Sequence, residues 1–149
     1  MEIAEILSPD RCAVEAGITS KKAVLERLAE LISATDKRLT TTMVFDSLIA
    51  RERLGSTGLG MGVAIPHGRN NIQEAAVGAC LLTREDVEFD SIDGQPVRIF
   101  FALSVPDEAT QEHLQILAKI AECFSDRALV DKIRAADSAD VVYRLLTGN

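Results

Sequence analysis

Tryptophan is absent and aromatic residues make up only 4% of the 149-residue chain, so its core must be packed with aliphatic side chains. Basic residues are outnumbered, 16 against 23 acidic ones, and a net charge of -7 excludes the broad basic face that nucleic-acid phosphates require. Any anion site must therefore be local. Cysteine is scarce too. Cys12, Cys80 and Cys123 are odd in number, far apart and without a C-x-x-C pair, which argues against a disulfide framework or a zinc site and predicts three buried thiols. No apolar run reaches the length of a membrane span, and the opening MEIAEILSPD lacks a basic region followed by a long apolar stretch. A cytoplasmic protein without membrane insertion is expected.

Several signatures of cofactor and metal chemistry are missing as well. Gly60 is followed by Met61 and Gly62 rather than by the Lys and Ser or Thr of a P-loop, and a dinucleotide fingerprint would need glycine where Ile65 stands. Ser56 is not in a G-x-S-x-G elbow, and no H-E-x-x-H or comparable ligand spacing occurs. Neither a metal nor a cofactor is expected. Repeats and low-complexity tracts are also lacking, and 47% hydrophobic with 26% charged residues is ordinary globular composition. Residues 1–149 are thus read as one domain, large enough to bury a sizeable core.

What is present is a regular alternation of elements. Ile3, Ile6 and Leu7 form a short apolar opening interrupted by Pro9, and Cys12 to Ala16 predicts a brief strand ending at Gly17. Thr19 or Ser20 would cap a helix with Val24, Leu25, Leu28, Leu31 and Ile32 inward and Lys21, Lys22, Glu26, Arg27 and Glu30 in water. Threonines 40 to 42 start a second helix, with Val44, Phe45, Leu48 and Ile49 inward, which Gly55 stops. Ala76 to Leu82 and Val97 to Val105 read as strands apolar on both faces, which calls for helices on both sides of a sheet. The C-terminal third predicts those helices. Leu114, Leu117, Ile120, Ala121 and Phe124 mark a long one from about Thr110. Asp126 and Asp137 are expected to cap two more, with Leu129, Val130 and Ile133 inward in one and Val141, Val142 and Leu145 in the other.

The stretch Arg51 to Arg69, RERLGSTGLGMGVAIPHGR, departs from this generic pattern. Glycines at 55, 58, 60 and 62 let backbone pass close to another group and present N–H donors to an anion. Pro66 fixes its own φ and so limits the wandering of His67. Each feature also has a plainer reading. Gly-rich segments are commonly tight turns, and a lone histidine is commonly structural. Arg51 and Arg53 suit the negative end of a helix dipole whatever else they do. His113 is either a surface histidine near a helix start or a group placed at a helix N-terminus, where anions bind.

Glu52, Leu59-Gly60 and Val63-Ala64-Ile65-Pro66-His67-Gly68 resemble the active-histidine pattern of the enzyme IIA proteins of the fructose and mannitol class in the bacterial phosphotransferase system. Arg51 to Gly58 looks most like the nitrogen-regulatory branch, and His113 to Ala121 is similar to the second histidine segment. The resemblance covers essentially the whole chain. It implies a three-layer α/β sandwich, a mixed sheet of four or five strands flanked by helices on both faces. It also implies a phosphoryl carrier in which His67 is phosphorylated by a phosphocarrier protein similar to HPr, with Arg51 and His113 beside it and no metal needed. Ser56, Thr57, Gly58, Gly60 and Gly62 would then supply phosphate-binding groups. The absence of fused segments resembles the free-standing regulatory form, whose partners are regulatory targets such as potassium transport or sensor components. A sugar-specific IIA passing phosphate to a IIB protein, and a binding module without chemistry, are the alternatives.

Overall fold

The computed structural model describes residues 2–108 and 110–148. After α1 (Ile3–Ile6), a 3-10 turn at Pro9–Arg11 leads into β1 (Cys12–Glu15). Ser20 and Thr40 cap α2 (Lys21–Ser33) and α3 (Thr41–Glu52), their hydroxyls accepting from the amides of Ala23 and Met43. Each thereby satisfies a donor that the helix itself cannot. Three short strands follow, β2 (Gly58–Gly60), β3 (Val63–Ala64) and β4 (His67–Asn70), then two long ones, β5 (Val77–Val87) and β6 (Val97–Pro106). The chain finishes with α4 (Thr110–Cys123), α5 (Arg127–Arg134) and α6 (Ala139–Thr147). No helix among the described residues is long and apolar enough to cross a membrane.

The sheet is mixed, in the order β1-β5-β6-β3-β2 with β4 also beside β6, and it has six strands rather than four or five. The difference arises after α3. Val63 and Ala64 lie parallel to Ile99 and Phe100, and His67 to Asn70 lie parallel to Leu103 to Pro106, so two strands share one side of β6 end to end. Pro66 separates them because it has no N–H for the ladder, while its carbonyl still accepts from Leu103 N at 2.9 Å. Neither GLG nor HGRN alternates apolar with polar, so periodicity could not reveal β2 or β4.

Alternation along β6 divides the core. Ile99, Phe101, Leu103 and Val105 pack with residues of α1, α4, α5 and α6 on one face, whereas Phe100 and Ala102 pack with α2 and α3 on the other. Burying each such large side chain contributes roughly 1.5–3 kcal/mol. Cys12 and Cys80 are buried as expected, and desolvation pushes the Cys12 thiol up to about 12 and raises Cys80 well above its usual range, which keeps both unreactive. Cys123 is only half-buried, contrary to expectation.

Other details differ from the sequence reading. In α4 Leu114 is 63% exposed, and the buried stripe runs through His113, Ile116 and Ile120 to Phe124. A polar residue occupies an inward position at 113, so counting apolar residues alone misplaces the face. Ser138, not Asp137, caps α6, its hydroxyl accepting from Val141 N at 3.3 Å, and the deeply buried residues there are Val142 and Leu146. Lys21 and Arg27 are not simply solvated either, since they pair with Glu52 at 3.0 Å and Glu15 at 2.9 Å.

Candidate active site

His67 opens β4 at the free edge beside β6. Its Nδ1 lies 2.8 Å from the carbonyl oxygen of Ile65. A carbonyl oxygen can only accept, so Nδ1 carries the proton and Nε2 keeps its bare lone pair. The half-buried ring faces a cleft of about 440 Å³, lined from α3 by Ser47, Ala50 and Arg51, from the following turn by Leu54, from β4 by His67, Gly68 and Arg69, and from α4 by His113. Gly68 sets the closeness of α3 to β4. A Cβ there would stand 2.9 Å from the backbone carbonyl of Ser47, so only glycine permits this approach.

His113 lies in the first turn of α4 and is 7% exposed. Its ring meets that of His67 edge to face, with centroids 5.3 Å apart and planes at 66°. Its Nδ1 is buried without a hydrogen-bond partner among the described residues. Burial lowers the pKa of both imidazoles. For His67 the Ile65 carbonyl and Glu52 oppose that shift while Arg51 and Arg69 add to it. For His113 the neighbouring His67, Arg69 and Arg51 all add to it. Both rings are consequently neutral near pH 7.

That depression has a sign that can be tested. An imidazole whose folded pKa lies below its unfolded value of ~6.5 binds more protons when unfolded, so its stability contribution is complete above that pH and is lost as pH falls towards the folded pKa. Chemical denaturation of the parent should therefore show declining stability from about pH 6.5 downwards, and His113→Asn should show a shallower decline over the same window. Identical profiles for the two proteins would mean that His113 is not held neutral by its surroundings.

Arg51 sits in the last turn of α3, and its Nη1 donates to the Gly55 carbonyl at 2.8 Å. Arg53 is exposed and does not line the cleft. The next residue after Arg51 faces inward: the Glu52 carboxylate accepts from Thr57 N at 3.0 Å and Thr57 Oγ1 at 2.7 Å, and pairs with Lys21. This ties the turn after α3 to the body of the domain.

Of the residues expected from the sequence, His67, Arg51 and His113 meet in one cleft, whereas Ser56, Thr57, Gly58, Gly60 and Gly62 do not line it. The hydroxyl of Ser56 donates to the Phe89 carbonyl at 2.6 Å and accepts from Gly58 N at 3.1 Å, and Thr57 is committed to Glu52. Gly60 and Gly62 have φ of 91° and 79° and turn β2 into β3, with the intervening Met61 N–H donating to Asp93 Oδ2 at 3.1 Å. The glycine spacing reflects a tight hairpin in which the amides of Thr57, Gly58 and Met61 already have acceptors within the protein.

Two features escaped the sequence reading. Arg69 lines the cleft two residues beyond His67 on the same strand, a period-two signal that the motif itself obscures. Asn70 ends β4 by accepting from the amides of Ile72 and Gln73 at 2.9 and 2.8 Å. The buried Gln73 in turn donates to the Ser104 carbonyl at 3.0 Å, anchoring the strand to β6. Among the described residues there is no group of three or more side chains able to hold a metal.

Residues 5–149 match the family described as phosphoenolpyruvate-dependent sugar phosphotransferase system, EIIA 2. The chain is 38% identical over 146 residues to the nitrogen regulatory protein of Pseudomonas aeruginosa, covering 98% of this chain and 95% of that one. The crystal structure of nitrogen regulatory protein IIA-Ntr from Neisseria meningitidis is similar with a TM-score of 0.89 and 44% identity, covering 97% of this chain and 99% of that one. IIA mannitol from Escherichia coli, at 19% identity, shares the fold with a TM-score of 0.69 over 96% of each chain. The chain belongs to the EIIA type 2 family of the phosphotransferase system, as a component of the nitrogen-regulatory type.

Proposed function

We propose that the protein is a cytoplasmic phosphoryl carrier in which Nε2 of His67 accepts a phosphoryl group from a phosphocarrier protein similar to HPr, and that the two phosphorylation states bind regulatory targets differently. The observation that carries this reading is the bond from Nδ1–H to Ile65, which leaves Nε2 as the unprotonated nitrogen of a ring that lines the cleft. In the transfer the Nε2 lone pair forms a bond to phosphorus while the phosphorus–nitrogen bond of the donor phosphohistidine breaks, its electron pair returning to the donor ring. Nδ1 keeps its proton, and the Ile65 carbonyl stabilises the positive charge that develops on the acceptor ring. Such a transfer depends on in-line positioning and on donors around the equatorial oxygens. Arg51 retains free guanidinium N–H groups beyond the one given to Gly55, and an arriving phosphoryl oxygen would offer an acceptor to the unpartnered ring nitrogen of His113.

Incubation with a phosphorylated HPr-like donor should yield a base-stable, acid-labile phosphate, and ring ¹⁵N shifts should assign it to Nε2 of His67. Phosphate on another residue, or none, would overturn the site. Rapid onward transfer to a IIB protein would replace the regulatory part of the reading with sugar-specific carriage.

A further inference from the structure

We propose that Arg69 is a second cationic ligand of the phosphoryl group on His67, acting with Arg51 to hold the oxygens once transfer is complete. The inference rests on the reading of His67 as the phosphoryl acceptor. Side chains two apart on a strand share a face, and the register of β4 agrees: His67 lies opposite Leu103 and Arg69 opposite Val105, both of which pack into the layer that contains α4. The two residues are separated by only about 7 Å of strand, within the span of an arginine side chain. Arg69 lines the cleft together with His67 and His113. The Arg69 charge is felt by both imidazoles, and at His113 it outweighs that of Arg51.

Of the two arginines that line the cleft, Arg69 is the one without a partner; Arg53 and Arg134 are also unpaired among the described residues but do not line it. In this acidic protein Arg27, Arg38 and Arg144 are each paired with a carboxylate, and Arg51 is bonded to the Gly55 carbonyl. Arg69 is exposed and has neither a hydrogen bond nor an ion pair among the described residues. A guanidinium left unneutralised beside a nucleophile that receives a dianionic group keeps its full charge for that group, and its planar fork matches phosphate oxygens. Because Arg69 is exposed, water screens the interaction and a modest effect is expected.

An arginine at the rim of a site could instead touch the donor protein, and equilibrium separates the two roles. Contacts made only in the encounter complex change forward and reverse transfer alike, whereas a ligand of the bound phosphoryl group changes the equilibrium constant between phosphorylated donor and phosphorylated acceptor. The experiment measures that constant with a phosphorylated HPr-like donor for the parent, Arg69→Ala and Arg69→Lys, with thermal denaturation confirming that all three are folded. Arg69→Ala should move the equilibrium about fivefold towards the donor, the upper end for a solvent-exposed ion pair, and Arg69→Lys should recover part of it. An equilibrium constant within about twofold of the parent, whatever happens to the rates, would overturn the role of Arg69 while leaving His67 as acceptor. Failure of the parent itself to take phosphate at His67 would overturn both readings.

Discussion

An alanine at position 67 is expected to leave a folded protein that takes up no phosphate. Among the described residues the His67 side chain makes one hydrogen bond, to Ile65, and it opens an edge strand, so its removal should cost no more than about 1–2 kcal/mol of stability. The chemical loss is of a different order. His113 is the other histidine of the chain, but it is only 7% exposed against the half-buried His67, so an incoming donor meets the His67 ring more readily. Labelling from a phosphorylated donor should therefore fall on the order of a thousandfold or more, to background, because among the described residues lining the cleft the remaining candidates are a buried imidazole and a hydroxyl bonded to the Val44 carbonyl. Labelling with ³²P alongside a urea denaturation curve measures both halves. Retained phosphate on His113 would exchange the roles of the two rings.

Glu52→Ala should have the largest effect on stability. The carboxylate is 2% accessible and accepts from the Thr57 amide, the Thr57 hydroxyl and the Lys21 ammonium group. Truncation would strand the two Thr57 donors and remove the nearer partner of Lys21, and breaking a buried ion pair typically costs about 3–5 kcal/mol. Lys21 retains Asp90 at 3.5 Å and lies 4.6 Å over the Phe89 ring, which places the expected loss at the lower end, about 3 kcal/mol. Glu52→Gln, which keeps an acceptor for Thr57, should lose about half as much. Urea midpoints decide the matter, and a loss below about 1 kcal/mol would mean that water replaces the carboxylate. Because Glu52 follows Arg51 directly, loosening it should also release the turn that positions Arg51 beside the cleft.

The long elements were legible because burial on both faces leaves a plain mark. β6 and the first half of β5 are nearly continuous apolar runs, although β5 continues past the expected end at Leu82, through Thr83 to Asp86, as far as Val87, and the caps Ser20, Thr40 and Asp126 fall among the residues expected to start those helices. Legibility failed where geometry depends on partners distant in sequence. β2 and β4 exist through pairing with β3 and β6, and their residues carry no period of their own. The phase of α4 was hidden because its first inward position holds His113, a polar residue serving the cleft. The glycines of the 55–62 loop announced backbone freedom correctly but not its use, which depends on Phe89 and Asp93 waiting on another segment to engage the loop. Arg69 was obscured by its neighbours, since a motif that ends at Gly68 draws attention away from the next residue on the strand.

The division of the core by the sheet bears on regulation. Arg51 belongs to the helical layer of α2 and α3, and His113 to the opposite layer of α4, α5 and α6, yet both reach the same cleft around the free edge of β4. A phosphoryl group held by both would act as a rivet between layers that lie on opposite faces of the sheet. The energetics are then reciprocal. A protein that docks on the outer surface of α3 or α4 and changes their spacing alters the affinity of the cleft for the phosphoryl group, and phosphorylation must alter the affinity of that protein by the same factor. Communication of this kind would require no large movement, only two faces of one small domain fastened at its rim.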